Sequence, residues 1–389
     1  MNNLCVDVGY RSINKKDEQL CGDMVQLVKD GDTTILVLAD GLGSGVKANI
    51  LSTLTSTIIA TMISEHMSVE ECVNTIMATL PVCSVRGVAY ATFTIIKVTD
   101  NSVAEIIQYD NPEVILLRDG KSFDYPKEKR VISGKTILES KINLECNDMF
   151  ITMSDGAIYA GVGQTLNYGW QRDNIVEYAE SRYSNKLSAQ AMSSLIVDAC
   201  NDLYNNEPGD DTTVATVRLR MRKAVNLMFG PPRDPKDANK MLALFFAKQG
   251  KHIVSGGTTS GITAEYLGKP LETSVDYIDP DIPPIARIEG VDLVTEGVLT
   301  INRVVEYARD YVGEKELCNQ WREKKDGASH IARMLFDEAT DINFYVGRAV
   351  NPAHQNPNLP IGFNIKMQLV EELSGALKNM DKTVNVSYF

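Results

Sequence analysis

The sequence predicts an α/β protein in two parts. An antiparallel sandwich with flanking helices is expected over residues 1–222, and a smaller α/β domain with a mostly parallel sheet over residues 236–389, joined by a linker at 223–235. Three observations support this reading. Residues 87–98, 103–109 and 113–118 alternate in polarity, with an Asp-Asn-Pro turn before the last of them and an Arg-Asp-Gly turn after it, a meander that favours antiparallel pairing. From residue 236 onward, helical and strand patterns alternate, as in parallel α/β sheets. Between the two lies a charged stretch with Gly230, Pro231, Pro232 and Pro235, a cluster of chain breakers. A chain of 389 residues is also long for a single core.

The first part reads in order as follows. Residues 4–10 form an edge strand, and 11–22 a polar loop carrying Arg11, Lys15 and Lys16. Residues 24–29 and 33–39 pair as a hairpin around Asp30-Gly31-Asp32, a turn that glycine favours. Such a hairpin sets Asp23 and Asp40 at the open ends of neighbouring strands. Residues 46–67 carry Ile50, Leu51, Leu54, Ile58 and Met62 at helical spacing, so this helix is expected to pack on the sheet. Ser68 followed by Glu71 is a capping box for a second helix. The charge run 127–130 reads as solvated surface. An apolar run ends at Asp155, helices follow at 170–182 and 187–204, and Asp210-Asp211 form a turn before a β-branched strand at 212–219.

Composition narrows the function classes. Hydrophobic content of 44% and charged content of 23% are those of a soluble globular protein. A net charge of −12 argues against a nucleic-acid surface, which requires a basic face. The cysteines at 5, 21, 72, 83, 146, 200 and 318 show no paired spacing, which suits reduced thiols in a cytoplasm. The opening residues, MNNLCVDVGYRS, lack the basic-then-apolar pattern of a signal peptide. No apolar run is long enough to span a membrane.

The chemistry is carried by aspartates. In ILVLADGLGSGVKA, residues 35–48, an apolar run delivers Asp40 to a turn containing Gly41, Gly43 and Gly45, where the backbone can approach something closely. Asp23 in CGDMVQLV, Asp155 in MFITMSDGA, and Asp210-Asp211 in EPGDDTTVATVRL repeat the theme. Carboxylates clustered without Cys or His suit a hard cation such as Mg²⁺ or Mn²⁺. One cation needs only two or three of them. Four sites fit a metal pair that activates water and clamps a phosphoryl group. Ser154, Thr212 and Thr213 are read as hydrogen-bonding groups, since no histidine motif accompanies them and a metal-activated water needs no protein nucleophile.

The order GD, DGLGSG, SDG, GDDTTV resembles the metal-dependent (type 2C, PPM-type) Ser/Thr protein phosphatases, specifically their SpoIIE-like branch, over residues 1–222. The resemblance implies an αββα sandwich and a phosphoserine or phosphothreonine substrate on another protein. It implies two Mn²⁺ or Mg²⁺ ions bridged by Asp40, with the Gly41 carbonyl, Asp155 and Asp210 as further ligands and Asp23 as the acid of the first motif. Where the family more often has Asp-Asn, this chain has Asp210-Asp211, so Asp211 takes the place of the asparagine. An arginine near the start grips the phosphate in many relatives. Arg11 is the candidate here, though its local pattern does not match.

In the second part, helices are expected at 236–249, 300–312, 328–340 and 364–379, and strands at 252–255, 271–278, 285–288, 291–295, 342–347 and 383–388. Two loops look able to hold a small ligand. Gly256-Gly257-Thr258-Thr259 opens a helix whose amides could hold an anion, although it lacks the lysine and spacing of a P-loop. The loop NPAHQNPNLP carries His354. The reading is thus a cytoplasmic protein phosphatase acting on a phosphoprotein, with regulation through the C-terminal domain, through ordering of the active-site helices by a partner, or through a homodimer. Two rivals stand beside it: a phosphoprotein-binding scaffold whose C-terminal domain senses a small ligand, and a small-molecule phosphomonoesterase.

Overall fold

The computed structural model describes residues 3–79, 91–273, 281–312, 321, 324–349 and 365–389. Its backbone contacts divide the chain into two units, Met1–Met221 and Arg222–Phe389.

The first unit opens with strands β1 (Leu4–Ile13), β2 (Asp23–Asp30) and β3 (Thr33–Gly41), then helices α1 (Gly45–Ser64) and α2 (Val69–Thr79). Strands β4 (Ala91–Thr99), β5 (Val103–Tyr109), β6 (Ile115–Arg118), β7 (Lys121–Ser122), β8 (Glu128–Ile132), β9 (Lys135–Asn143) and β10 (Met149–Met153) follow. The unit closes with α3 (Asp155–Ile158), α4 (Arg172–Arg182), α5 (Ala189–Leu203) and β11 (Thr212–Met221). Two antiparallel sheets result, ordered β2-β3-β4-β5-β9-β8 and β1-β11-β10-β6-β7. Their inner faces share a core of Leu36, Leu38, Ile96, Leu116, Phe150 and Val217. On the outer face of the first sheet, Ile35 and Val37 pack with Ile59 of α1 and Val73 of α2. On that of the second, Ile151 and Val214 pack with Ile175 of α4 and Ile196 of α5.

Several expectations change at this point. The meander does not continue past β5: the chain crosses to the other sheet, so β6 pairs with β10 while β9 takes the place beside β5. Buried Gln108 marks the crossing, its side-chain oxygen accepting from the Val114 amide at 2.7 Å. The charge run at 127–130 lies mostly in β8, an edge strand, where exposed charges discourage further pairing. In α1 the apolar spacing misleads. Ile50 and Leu54 are 52% and 46% exposed, whereas Ala48, Ser52, Thr55, Ser56 and Ala60 are buried alongside Leu51, Ile59 and Ile63. Small residues let the helix backbone approach closely, and a Cβ on Gly41 would fall 2.1 Å from the Ala48 carbonyl oxygen. Among the described residues α1 is the one helix long and apolar enough to cross a membrane.

The second unit starts earlier than expected. Residues 224–229, assigned to the linker at 223–235, form β12 (Ala224–Phe229), which lies inside the sheet rather than between domains. Flanking charge and prolines hid a buried strand. After it come α6 (Ala238–Ala247), β13 (Lys251–Ser255), α7 (Gly257–Leu267), β14 (Glu272–Thr273), β15 (Ala286–Arg287), β16 (Leu293–Thr295), α8 (Val298–Val312), α9 (Gly327–Ala332), β17 (Asp341–Val346), α10 (Ile365–Asn379) and β18 (Thr383–Tyr388). The sheet order is β14-β15-β16-β13-β12-β17-β18. Strands β16, β13, β12, β17 and β18 are parallel, and β14 and β15 add an antiparallel edge, so the sheet is mixed. Chain progression reverses between β12 and β17, as in doubly wound folds. One face packs on α8, α9 and α10 through residues such as Leu227, Val304, Ile331 and Leu373, and the other on α6 through Met228, Leu242 and Phe245.

Candidate metal centre

Sheet geometry brings the aspartates together. Asp23, the first residue of β2, stands directly opposite Asp40 near the end of β3. Asp155 follows β10, and Asp210-Asp211 precede β11, the strand paired with β10, so these carboxylates sit at one end of the second sheet. A hydrogen bond ties the two sheets together at this point: the Ser154 hydroxyl donates to Asp23 Oδ2 at 2.7 Å and accepts from the Thr213 amide at 2.9 Å.

Two carboxylate oxygens here are buried without a partner, Oδ1 of Asp23 and Oδ2 of Asp211. The residues are only 4% and 5% exposed. The other oxygen of Asp211 accepts from the Lys15 amide at 2.9 Å. Its orphaned oxygen lies beside Gly22, where a Cβ would stand 2.8 Å from it, so the glycine keeps the space around that oxygen open. Buried anionic oxygens left unpaired are costly.

Electrostatics show the same conflict. Burial, then the neighbouring Asp23, Asp155, Asp210 and Asp211, push Asp40 up to about 9. Asp23 is pushed up to about 7, burial outweighing the opposing hydrogen bonds from Ser154 and Thr213. Asp155 and Asp210 are raised as well, chiefly by burial. Four carboxyl groups in one neighbourhood, Asp23, Asp40, Asp155 and Asp210, are therefore held by a shell that disfavours their own charge, the situation a divalent cation resolves. Among the described residues, no three Cys, His, Asp or Glu side chains are set close enough to hold a metal ion together. An open arrangement fits Mg²⁺ or Mn²⁺, which keep several waters and take one or two carboxylates.

Of the residues singled out from sequence, Asp23, Asp40, Asp155, Asp210 and Asp211 are gathered here. The Gly41 amide donates to the Gly22 carbonyl at 3.1 Å, fixing the turn after β3. Asp210, expected as the firmer ligand of its pair, is the more open one and has Lys15 Nζ 3.9 Å away, whereas Asp211 is buried. Arg11 lies within β1, not in a loop, and pairs with Asp198 of α5 at 2.5 Å. The loop Gly256, Gly257, Thr258 and Thr259 belongs to the second unit, and His354 lies outside the described residues. Ser154, read from sequence as a hydrogen-bonding group, is one, donating to Asp23, whereas sequence reasoning missed the part of Lys15 and Glu18 in the site. Glu18 accepts from the Ser44 hydroxyl at 2.9 Å in the glycine turn, and nothing in its local pattern marks it. Cys21, next to the site, is pushed up to about 12 by burial and by Asp23, so its thiol stays protonated.

The arrangement is a cluster of buried carboxylates where two antiparallel sheets meet, and comparison shows which known proteins share the sequence pattern. Residues 30–220 match the model of Stage II sporulation protein E (SpoIIE). Over these residues, just under half of the chain, the sequence is similar to SpoIIE-like, PPM-type phosphatase domains. Similar solved structures include the phosphatase domain of SpoIIE from Bacillus subtilis, at 17% identity over 57% of this chain and 95% of that one, with a TM-score of 0.44. They also include the RsbU and RsbW domains of a Mycobacterium tuberculosis protein, at 19% identity over 62% and 70%, with a TM-score of 0.47. RsbX in complex with magnesium is similar at 22% identity over 55% and 95%, with a TM-score of 0.40. No curated protein matches the chain.

Proposed function

We propose that the first unit is a Mg²⁺- or Mn²⁺-dependent phosphatase acting on phosphoserine or phosphothreonine of a partner protein. The observation that carries this reading is the pair of orphaned buried oxygens, Asp23 Oδ1 and Asp211 Oδ2, contributed from the two sheets of a SpoIIE-like domain. Asp23, Asp40, Asp155, Asp210 and Asp211, with the Gly41 carbonyl, would hold the ions. When bound, such ions supply a Lewis acid for the phosphoryl oxygens and an activated water for in-line attack.

The residues of the chain have separate tasks. Ser154 fixes one oxygen of Asp23 and leaves the other free to face a cation. The Lys15 amide does the same for Asp211, and the Lys15 ammonium balances charge beside Asp210. Glycines at 22 and 41 keep the approach clear and fix the turn. Protonated Cys21 takes no part as a nucleophile.

The test is turnover of a phosphoserine peptide beside a sugar phosphate, each titrated with Mn²⁺ and Mg²⁺. Metal-dependent hydrolysis of the peptide is expected to dominate. Turnover of the sugar phosphate alone would overturn the protein-substrate assignment.

A further inference from the structure

The second unit has a polar corner that the phosphatase reading does not use. Neighbouring parallel strands β13 and β16 end at Ser255 and Thr295, and α7 and α8 start just beyond. The two ends are pinned together: the Gly256 amide donates to the Thr295 carbonyl at 2.9 Å, and the Ser255 hydroxyl to the Glu296 carbonyl at 2.7 Å. Glycines line the crossing. A Cβ on Gly297 would come 3.3 Å from Gly256 Cα and 3.7 Å from the Phe229 ring at the end of β12, while Gly256 itself has a φ of 120°, which side-chain-bearing residues rarely adopt. Three strand ends thus meet at the carboxyl edge of the sheet, where doubly wound folds hold ligands.

Helix α7 is 11 residues long and begins with no side-chain cap, leaving its first amides without intrahelical acceptors. Gly257 and Thr258 are exposed. Thr259 is only 2% exposed, and its hydroxyl has no hydrogen-bond partner. That hydroxyl points at the cap, 3.2 Å from where a Cβ on Gly256 would stand. One carboxylate oxygen of Glu296, in the loop between β16 and α8, is likewise buried and unpartnered.

We infer that this corner binds a small phosphorylated molecule bearing hydroxyl groups, of the sugar-phosphate or nucleotide class. Free amides and an orphaned hydroxyl at a helix N-terminus accept an anion. Glu296 repels a bare anion, and when ionised it can only accept hydrogen bonds, so the same ligand must bring a donor beside its phosphate.

The experiment is calorimetric titration of the full chain, in chelator so that the metal centre is silent, with inorganic phosphate, ribose and ribose 5-phosphate. Amide exchange over residues 256–263 is followed in parallel. Ribose 5-phosphate is expected to bind most tightly and to protect those amides. Thr259→Val should weaken both phosphate-bearing probes by roughly tenfold, the loss expected for a hydrogen bond to a charged group. Glu296→Ala should weaken ribose 5-phosphate and leave inorganic phosphate unchanged or tighter. No binding and no protection with any probe, or affinities untouched in both variants, would overturn the inference. Should Thr259→Val fail to fold, exchange protection in the parent decides.

Discussion

Ser154 shows how much one hydroxyl can organise. It donates to Asp23 and accepts from the Thr213 amide inside a fully buried site. Ser154→Ala leaves both partners without it, and a loss of about 2 kcal/mol of stability is expected, readable from denaturant unfolding. An unchanged midpoint would mean the bond is not what joins the sheets. The carboxylates make a second prediction, about pH. Asp40 is raised in the folded chain, so the folded state binds more protons than the unfolded one, and the contribution of this group to stability falls as pH rises from about 4 toward its raised value. Without metal, Asp40→Asn, which mimics the protonated acid, should therefore melt above the parent at pH 8, with the gap closing toward pH 5. A parent more stable than the variant at pH 8 in chelator would contradict the charge conflict. The orphaned oxygens were not legible in the sequence. Motif order marks the aspartates, but which oxygen is left unpaired depends on Ser154 and the Lys15 amide, and their placement is set by tertiary packing.

At the scale of elements, local chemistry was readable where it is self-contained. The Ser68–Glu71 box forms as its spacing requires: the Glu71 amide donates to the Ser68 hydroxyl at 3.2 Å, and the Ser68 amide to the Glu71 carboxylate at 2.8 Å. The hairpin of β2 and β3 was readable for the same reason, since a short turn fixes the register. Patterns failed where packing overrides them, as in α1, where Ala48, Ser52, Thr55, Ser56 and Ala60 are buried beside Leu51, Ile59 and Ile63 while Ile50 and Leu54 stay exposed. They failed again at β12, where an asparagine interrupts an apolar run. Asn226 is buried, its side-chain amide donating to the Gln249 carbonyl at 3.2 Å, while Asn343 of β17 donates to Asn226 Oδ1 at 3.0 Å and Asn385 of β18 to Asn343 Oδ1 at 3.2 Å. This ladder across three parallel strands gives the polar residue a structural reason. Asn226→Ala strands the amide of Asn343 and should cost the second unit about 2 kcal/mol, measurable by chemical denaturation. A neutral effect would show the ladder to be incidental.

For the molecule as a whole, the place of β12 decides where the second unit can be cut. Residues 222–389 contain every strand of its sheet, whereas 236–389 lack one that pairs on both sides. The longer piece should unfold cooperatively and the shorter one should not. Equal behaviour of the two in thermal unfolding would contradict the central role of that strand. The first unit asks for a direct test of its chemistry: hydrolysis of a phosphoserine peptide by the full chain with and without Mn²⁺, compared with Asp40→Asn and Asp211→Asn. Activity should require the metal and fall by at least roughly a hundredfold in each variant while both remain folded, since ligand-sphere changes commonly cost that much. Hydrolysis that persists in chelator, or full activity in either variant, would contradict the metal-centre account.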